Sequence, residues 1–299
     1  MRASISQLVA VLFICAAIVF GIAFATAPHT LPLFNLPAML VLGVLAFGIQ
    51  WLAFIPAYLL QTEKFYDLVG SCSFLVLIIV CLVNTQAIAW YQILLAAMVG
   101  TWAIRLGSFL FIRIAKDGAD KRFDHIKPNP WVFFTSWTVQ GLWVFLTSVA
   151  VTTALLSVNT IEFDSVVTKV QLGSGALLWL TGFMLEIVAD LQKRKFKQQA
   201  NKVTPFITSG LWQYSRHPNY FGEILLWFGA ALFAMPVLIA WQYVVLISPF
   251  FVGFLLIYIS GIPILEKKAD KAFGELPEYL HYKSSTPILV PRLSQKVLR

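Results

Sequence analysis

The chain has 299 residues, 59% of them hydrophobic and only 12% charged, with a formal net charge of +8. Soluble domains carry roughly 45–50% apolar and about 25% charged residues. One core of this length cannot hide 25 Phe, 10 Trp and 9 Tyr from water. With a mean hydropathy of +0.79, the composition excludes a disordered chain, a collagen-like fibre and an ordinary water-soluble globule. It predicts an all-α, polytopic integral membrane protein.

A membrane-spanning helix needs about 20 mostly apolar residues. In chain order such runs fall at 7–27, 37–60, 67–84, 87–112, 131–157 and 173–190. The next run, 221–262, is too long for one span, and Pro236 near its middle predicts a helical hairpin. That makes about eight spans. Outside them every Lys and Arg except Lys169 then falls on one side: Arg2, Lys64, the 113–130 loop, the 191–220 segment and the C-terminal tail. The positive-inside rule puts both termini in the cytoplasm. It also explains the net positive charge without a nucleic-acid partner. The first run could instead be a signal peptide cleaved after Ala23-Phe24-Ala25, but its apolar core is longer than such a peptide needs.

Cys15, Cys72 and Cys81 lie in apolar runs with no CxxC spacing, and HExxH and P-loop patterns are absent, so no metal site is expected. The informative residues are ionisable groups in or beside apolar helices, each of which needs a partner, a ligand or neutralisation. Arg105 lies inside the fourth span, with Arg113 on nearly the same face and Arg122 in the basic loop beyond. At the end of the sixth span Glu186, Asp190, Arg194 and Lys197 follow at i, i+4, i+8 and i+11. A continuing helix therefore aligns two carboxylates and two bases. Carboxylates accept bonds from hydroxyls or amides, and the bases suit phosphates; intrahelical ion pairs are the simpler alternative.

The densest segment is Gly210-Leu-Trp-Gln-Tyr214-Ser-Arg216-His217-Pro-Asn219-Tyr220-Phe-Gly-Glu223. Pro218 suits the first turn of a helix, which sets Arg216 and His217 at its N-terminus, where anions are favoured. Asn219 and Glu223 are then one turn apart on a common face. Beyond the last span, Tyr279 and Lys283 show the YxxxK spacing of short-chain dehydrogenases. No strand or glycine-rich turn precedes them, so that match reads as chance. A basic, aromatic tail resting on anionic headgroups also accounts for this region.

The Tyr214–Glu223 motif, the charged end of the sixth span before it, and the later hairpin and Pro277-Glu278-Tyr279 resemble the steroid 5-alpha-reductases. They resemble more closely the bacterial DUF1295 group. Related Arg-His-Pro elements occur in sterol C14-reductases and isoprenylcysteine carboxyl methyltransferases. The resemblance covers roughly residues 100–292 and divides the chain into a substrate-side region, 1–112, and a cofactor region, 113–299. It implies NADPH held between cytoplasmic helix ends by Asn219 and Glu223, with Asp190, Arg194 and Lys197 on the preceding helix. Arg216 and His217 match the sterol-reductase branch, whereas the steroid branch has small residues there.

For the N-terminal half the resemblance transfers no motif. Tyr58 and Glu63, near the cytoplasmic end of the second span, are the candidates there for the catalytic proton donor and substrate-binding acid. The resemblance thus implies a bacterial inner-membrane oxidoreductase that reduces a carbon–carbon double bond of a lipidic enone with NADPH. The alternatives are an S-adenosylmethionine-dependent methyltransferase and a non-catalytic lipid-binding protein. The extra phosphate of NADPH, matched by Arg113, Arg122, Arg194 and Lys197, distinguishes it from NADH and from S-adenosylmethionine.

Overall fold

Residues 2–120, 123–199 and 204–292 are described by a computed structural model. Among them the regular structure is helical, with isolated bridges and no strand. Ten α-helices follow: α1 Arg2–Thr26, α2 Ala38–Leu59, α3 Tyr66–Asn84, α4 Trp90–Asp117 and α5 Pro130–Leu155 come first. Then come α6 Val166–Gln198, α7 Pro218–Ala234, α8 Ile247–Phe254, α9 Ile262–Phe273 and α10 Pro277–Ser285. Eight segments are long and apolar enough to cross a membrane, as the hydropathy pattern requires. The sixth helix departs from expectation by starting at Val166 rather than near 173. It also runs on to Gln198, as the stripe through Lys197 needs.

The hairpin forms where Pro236 predicts it, in a 3₁₀ turn over Met235–Val237. Proline lacks the N–H that would continue α7. The Val237 carbonyl, at the end of that turn, accepts bonds from Ser157 Oγ (3.1 Å) and Asn159 Nδ2 (2.8 Å). The returning span is not a uniform helix. It passes from a 3₁₀ segment, Ala240–Leu246, through α8 to a π turn, Leu255–Ile259, and resumes as α9.

The chain forms two compact units, one of residues 1–171 with 233–248 and the other of 172–232 with 249–299. In the first, α5 packs against α1, α2, α3 and α4. It buries 83% of its apolar window, against 28–39% for those four. Many of its hydroxyls bond back to carbonyls one turn earlier, such as Thr138 to Phe134 and Ser148 to Val144, so a polar-rich helix can be buried. Polar ties between helices include Gln50 Nε2 to Ser73 Oγ at 2.7 Å and Trp51 Nε1 to Thr138 Oγ1 at 3.1 Å.

In the second unit α6 and α7 run antiparallel at backbone contact. A methyl added at Gly229 would lie 2.3 Å from the Trp179 nitrogen. One added at Gly182 would lie 2.5 Å from the Gly222 carbonyl and the Leu226 nitrogen, and one at Gly222 2.7 Å from the Glu186 nitrogen. The contacts advance by one turn along α6 as they retreat by one turn along α7, forming a continuous seam of small residues. Gly222→Ala should therefore lower thermal stability by about 1–3 kcal/mol, since backbone rather than a flexible side chain must yield. An unchanged unfolding midpoint would contradict so close a seam.

Candidate functional site

The seam sets the site. Because α6 and α7 touch at Glu186 and Gly222, the next turn brings Asp190 opposite Asn219. Asn219 Nδ2 donates to Asp190 Oδ1 at 3.2 Å. Glu186, only 3% exposed, lies one turn deeper on α6, and half-buried Glu223 lies one turn along α7 from Asn219. Arg194 and Lys197 continue the α6 stripe as exposed bases. Asn219 Oδ1 is buried without a hydrogen-bond partner.

The segment before α7 is built by bonds to distant chain. Trp212 Nε1 donates to the Ala189 carbonyl at 3.1 Å, and Lys193 sits 4.4 Å above the Trp212 ring. Gln192 Oε1 accepts the Leu211 N–H at 2.8 Å. Gly210, at φ 65°, supplies the left-handed turn that leads in. The last described residues pair with the same segment: Arg216 N–H donates to the Pro287 carbonyl (2.9 Å) and Arg292 N–H to the Tyr214 carbonyl (3.0 Å). Ser215 Oγ donates to the Leu289 carbonyl at 2.7 Å and accepts the His217 N–H at 3.2 Å.

Pro218 opens α7, as its preference for a helix start dictates. Arg216 and His217 do stand at that end, but they are not free to receive an anion. Both turn to Glu266 on α9: Arg216 ion-pairs with Oε2, and His217 Nε2 bonds Oε1 at 2.8 Å. Burial, against the opposing pull of Glu266, holds the imidazole below its ordinary pKa, so His217 is neutral at pH 7. Its ring stacks on Tyr220 at 5.7 Å and 10°, and its Nδ1 is buried without a partner. Glu266 was visible only as one acid in a charged stretch, and its significance lies in a partner about fifty residues away.

Tyr279 and Lys283 both donate to Asp270 Oδ1, at 2.9 and 2.5 Å. Burial first, then the Asp270 bond, raises the Tyr279 pKa, so the phenol stays protonated. The shared carboxylate accounts for their spacing without dehydrogenase chemistry, and the phenol expected at a cofactor is spent on an acid.

The first unit holds the remaining candidates. Tyr58 stacks on Phe54 at 5.6 Å in an aromatic cluster that includes Phe133 and Trp137. Arg105 lies over the Phe109 ring at 5.6 Å, and Arg113 pairs with Asp67 at 3.3 Å. Arg122 lies outside the described residues.

Glu63, 4% exposed, accepts from Lys127 Nζ at 2.5 Å and from the Asp120 N–H at 2.8 Å. Burial raises the Glu63 pKa, but the Lys127 and Asp120 bonds outweigh it and the net shift is downward. That makes it a fastening for Asp120 and Lys127 rather than a proton donor. With the folded-state pKa depressed, this stability is full above the ordinary carboxylate pKa of about 4.3 and is lost as pH falls through the lower folded value. Lys127→Met should strand the buried carboxylate at a cost of roughly 3 kcal/mol. Its unfolding midpoint should then approach that of the unmutated chain in acid, and a constant gap across pH would contradict the pairing.

Taken together, these features define a polytopic membrane protein with a polar site at the start of α7. Residues 53–286 match the family described as "Protein of unknown function (DUF1295)", and the chain belongs to that family. A stretch of 77 residues, 26% of the chain, is 35% identical to human "3-oxo-5-alpha-steroid 4-dehydrogenase 1". The match spans 30% of that relative's length. No solved structure matches the chain.

Proposed function

We propose that this protein is a membrane reductase that uses NADPH to saturate a carbon–carbon double bond of a lipidic enone. The observation that carries the reading is the Asp190–Asn219 contact at the glycine seam, beside Glu186 and Glu223. The partial likeness to a 3-oxo-5-alpha-steroid 4-dehydrogenase supports it.

The residues fit the cofactor. Buried acceptors at Asn219 Oδ1 and His217 Nδ1 await a donor, and carboxylates of the same unit suit ribose hydroxyls or a carboxamide. Exposed Arg194 and Lys197 suit the 2′-phosphate. When bound, NADPH supplies the hydride. The protein's share is to bind, orient and exclude water, and to donate a hydrogen bond to the enone oxygen as it gains charge. Glu63, ionised against Lys127, is not the donor. The basic segments face the cytoplasm, where the nucleotide is available.

Calorimetry on purified protein in detergent tests the reading with three probes: NADPH, NADH and S-adenosylmethionine. NADPH should bind about tenfold or more tightly than NADH, the gap narrowing with salt. Equal affinities would remove the phosphate assignment. Binding of S-adenosylmethionine in place of NADPH would overturn the reading.

A further inference from the structure

Arg216 and His217 stand at a helix N-terminus, yet the charge that meets them there is Glu266. A carboxylate beside an arginine is ionised and can only accept hydrogen bonds. The bond of His217 Nε2 to Glu266 Oε1 therefore requires the proton on Nε2. In a neutral imidazole Nδ1 is then a bare lone pair, and this Nδ1 is buried without a partner in a residue only 5% exposed. Tyr220, stacked on the ring, fixes its plane. Leaving a buried acceptor unsatisfied is costly, so such an arrangement is expected where a ligand completes it.

We propose that Glu266 is a positioning residue that fixes His217 as the Nε2–H tautomer. His217 Nδ1 thereby accepts a hydrogen bond from an N–H or O–H of the bound nucleotide. Arg216, neutralised by the same carboxylate, is not a phosphate cradle. The ligand group at this spot is a neutral donor, a ribose hydroxyl or a carboxamide. The ligand half rests on the NADPH reading; the tautomer half stands apart from it.

The two halves are measured separately on the full-length chain in nanodiscs. Imidazole ¹⁵N spectra, with the His217 signals assigned by their loss in His217→Asn, should show a protonated Nε2 and a bare Nδ1 at neutral pH without nucleotide. A protonated Nδ1 overturns the proposal whether or not NADPH binds. In Glu266→Gln the amide can donate to Nε2, and the proton should move to Nδ1.

For the ligand half, NADPH titrations compare two substitutions. Asn places an acceptor near the position of Nδ1, and Gln places its amide near that of Nε2. His217→Asn should keep affinity within about threefold, whereas His217→Gln should lose about tenfold. The reverse order would mean that the histidine serves only its bond to Glu266, and would overturn the ligand half. If NADPH fails to bind the unmutated protein, the ligand half falls with the functional reading, while the spectra still decide the tautomer.

Discussion

Asn219→Ala is expected to weaken NADPH binding by roughly 5- to 150-fold while lowering the unfolding midpoint only slightly. The magnitude follows from losing one or two ligand hydrogen bonds at about 1–3 kcal/mol. Asn219 is half-buried at the start of α7, and its amide is divided between two tasks. Its Nδ2 holds Asp190 and its Oδ1 is held ready and buried. If the pair merely fastens α6 to α7, the same substitution should destabilise the protein with and without nucleotide. Thermal unfolding with and without NADPH separates the cases. A variant that melts early but keeps the full NADPH-induced shift would rule Asn219 out of the site. Asp190→Ala should behave similarly, with the added cost of leaving Asn219 Nδ2 without its acceptor.

The parts of this structure legible in the sequence are those dictated locally. The number of spans is set by hydropathy, the break in the long apolar run by Pro236, and the start of α7 by Pro218, and each is as expected. The stripe from Glu186 to Lys197 needed only that α6 continue, and it does. What could not be read is register between distant segments. Gly182, Gly222 and Gly229 are unremarkable among 17 glycines until two helices are set against each other. Glu266 looked like one acid among lysines, because its bond to His217 crosses a hairpin and a π turn. The expected anion site at Arg216 and His217 followed soundly from a helix N-terminus, but an internal carboxylate arrived there first. Glu63 illustrates the same limit, since burial alone suggests a raised pKa and only the fold supplies Lys127.

Ending the chain at Thr286 should disable the site even though it removes none of the residues that line it. The segment from Pro287 to Arg292 looks in sequence like a tail, but it lies along Tyr214–Arg216 and exchanges three hydrogen bonds with them. Ser215 passes that constraint on. Its hydroxyl donates to Leu289 and accepts the His217 N–H, so the strap fixes the residue that begins the turn into α7. Releasing it frees the Arg216 N–H and the Tyr214 carbonyl, at roughly 1 kcal/mol for each lost bond. A destabilisation of about 2–3 kcal/mol should follow. The larger effect should be on binding, because a site loosened by an ångström loses affinity out of proportion to its stability. NADPH affinity should fall by tenfold or more, on the order of one to two lost contacts. A chain ending at Arg292 keeps all three bonds and should match the full-length protein in both measurements. Ser215→Ala, which cuts the strap from His217 without shortening the chain, should fall between the two. If the chain ending at Thr286 binds NADPH and unfolds like the chain ending at Arg292, the strap positions nothing.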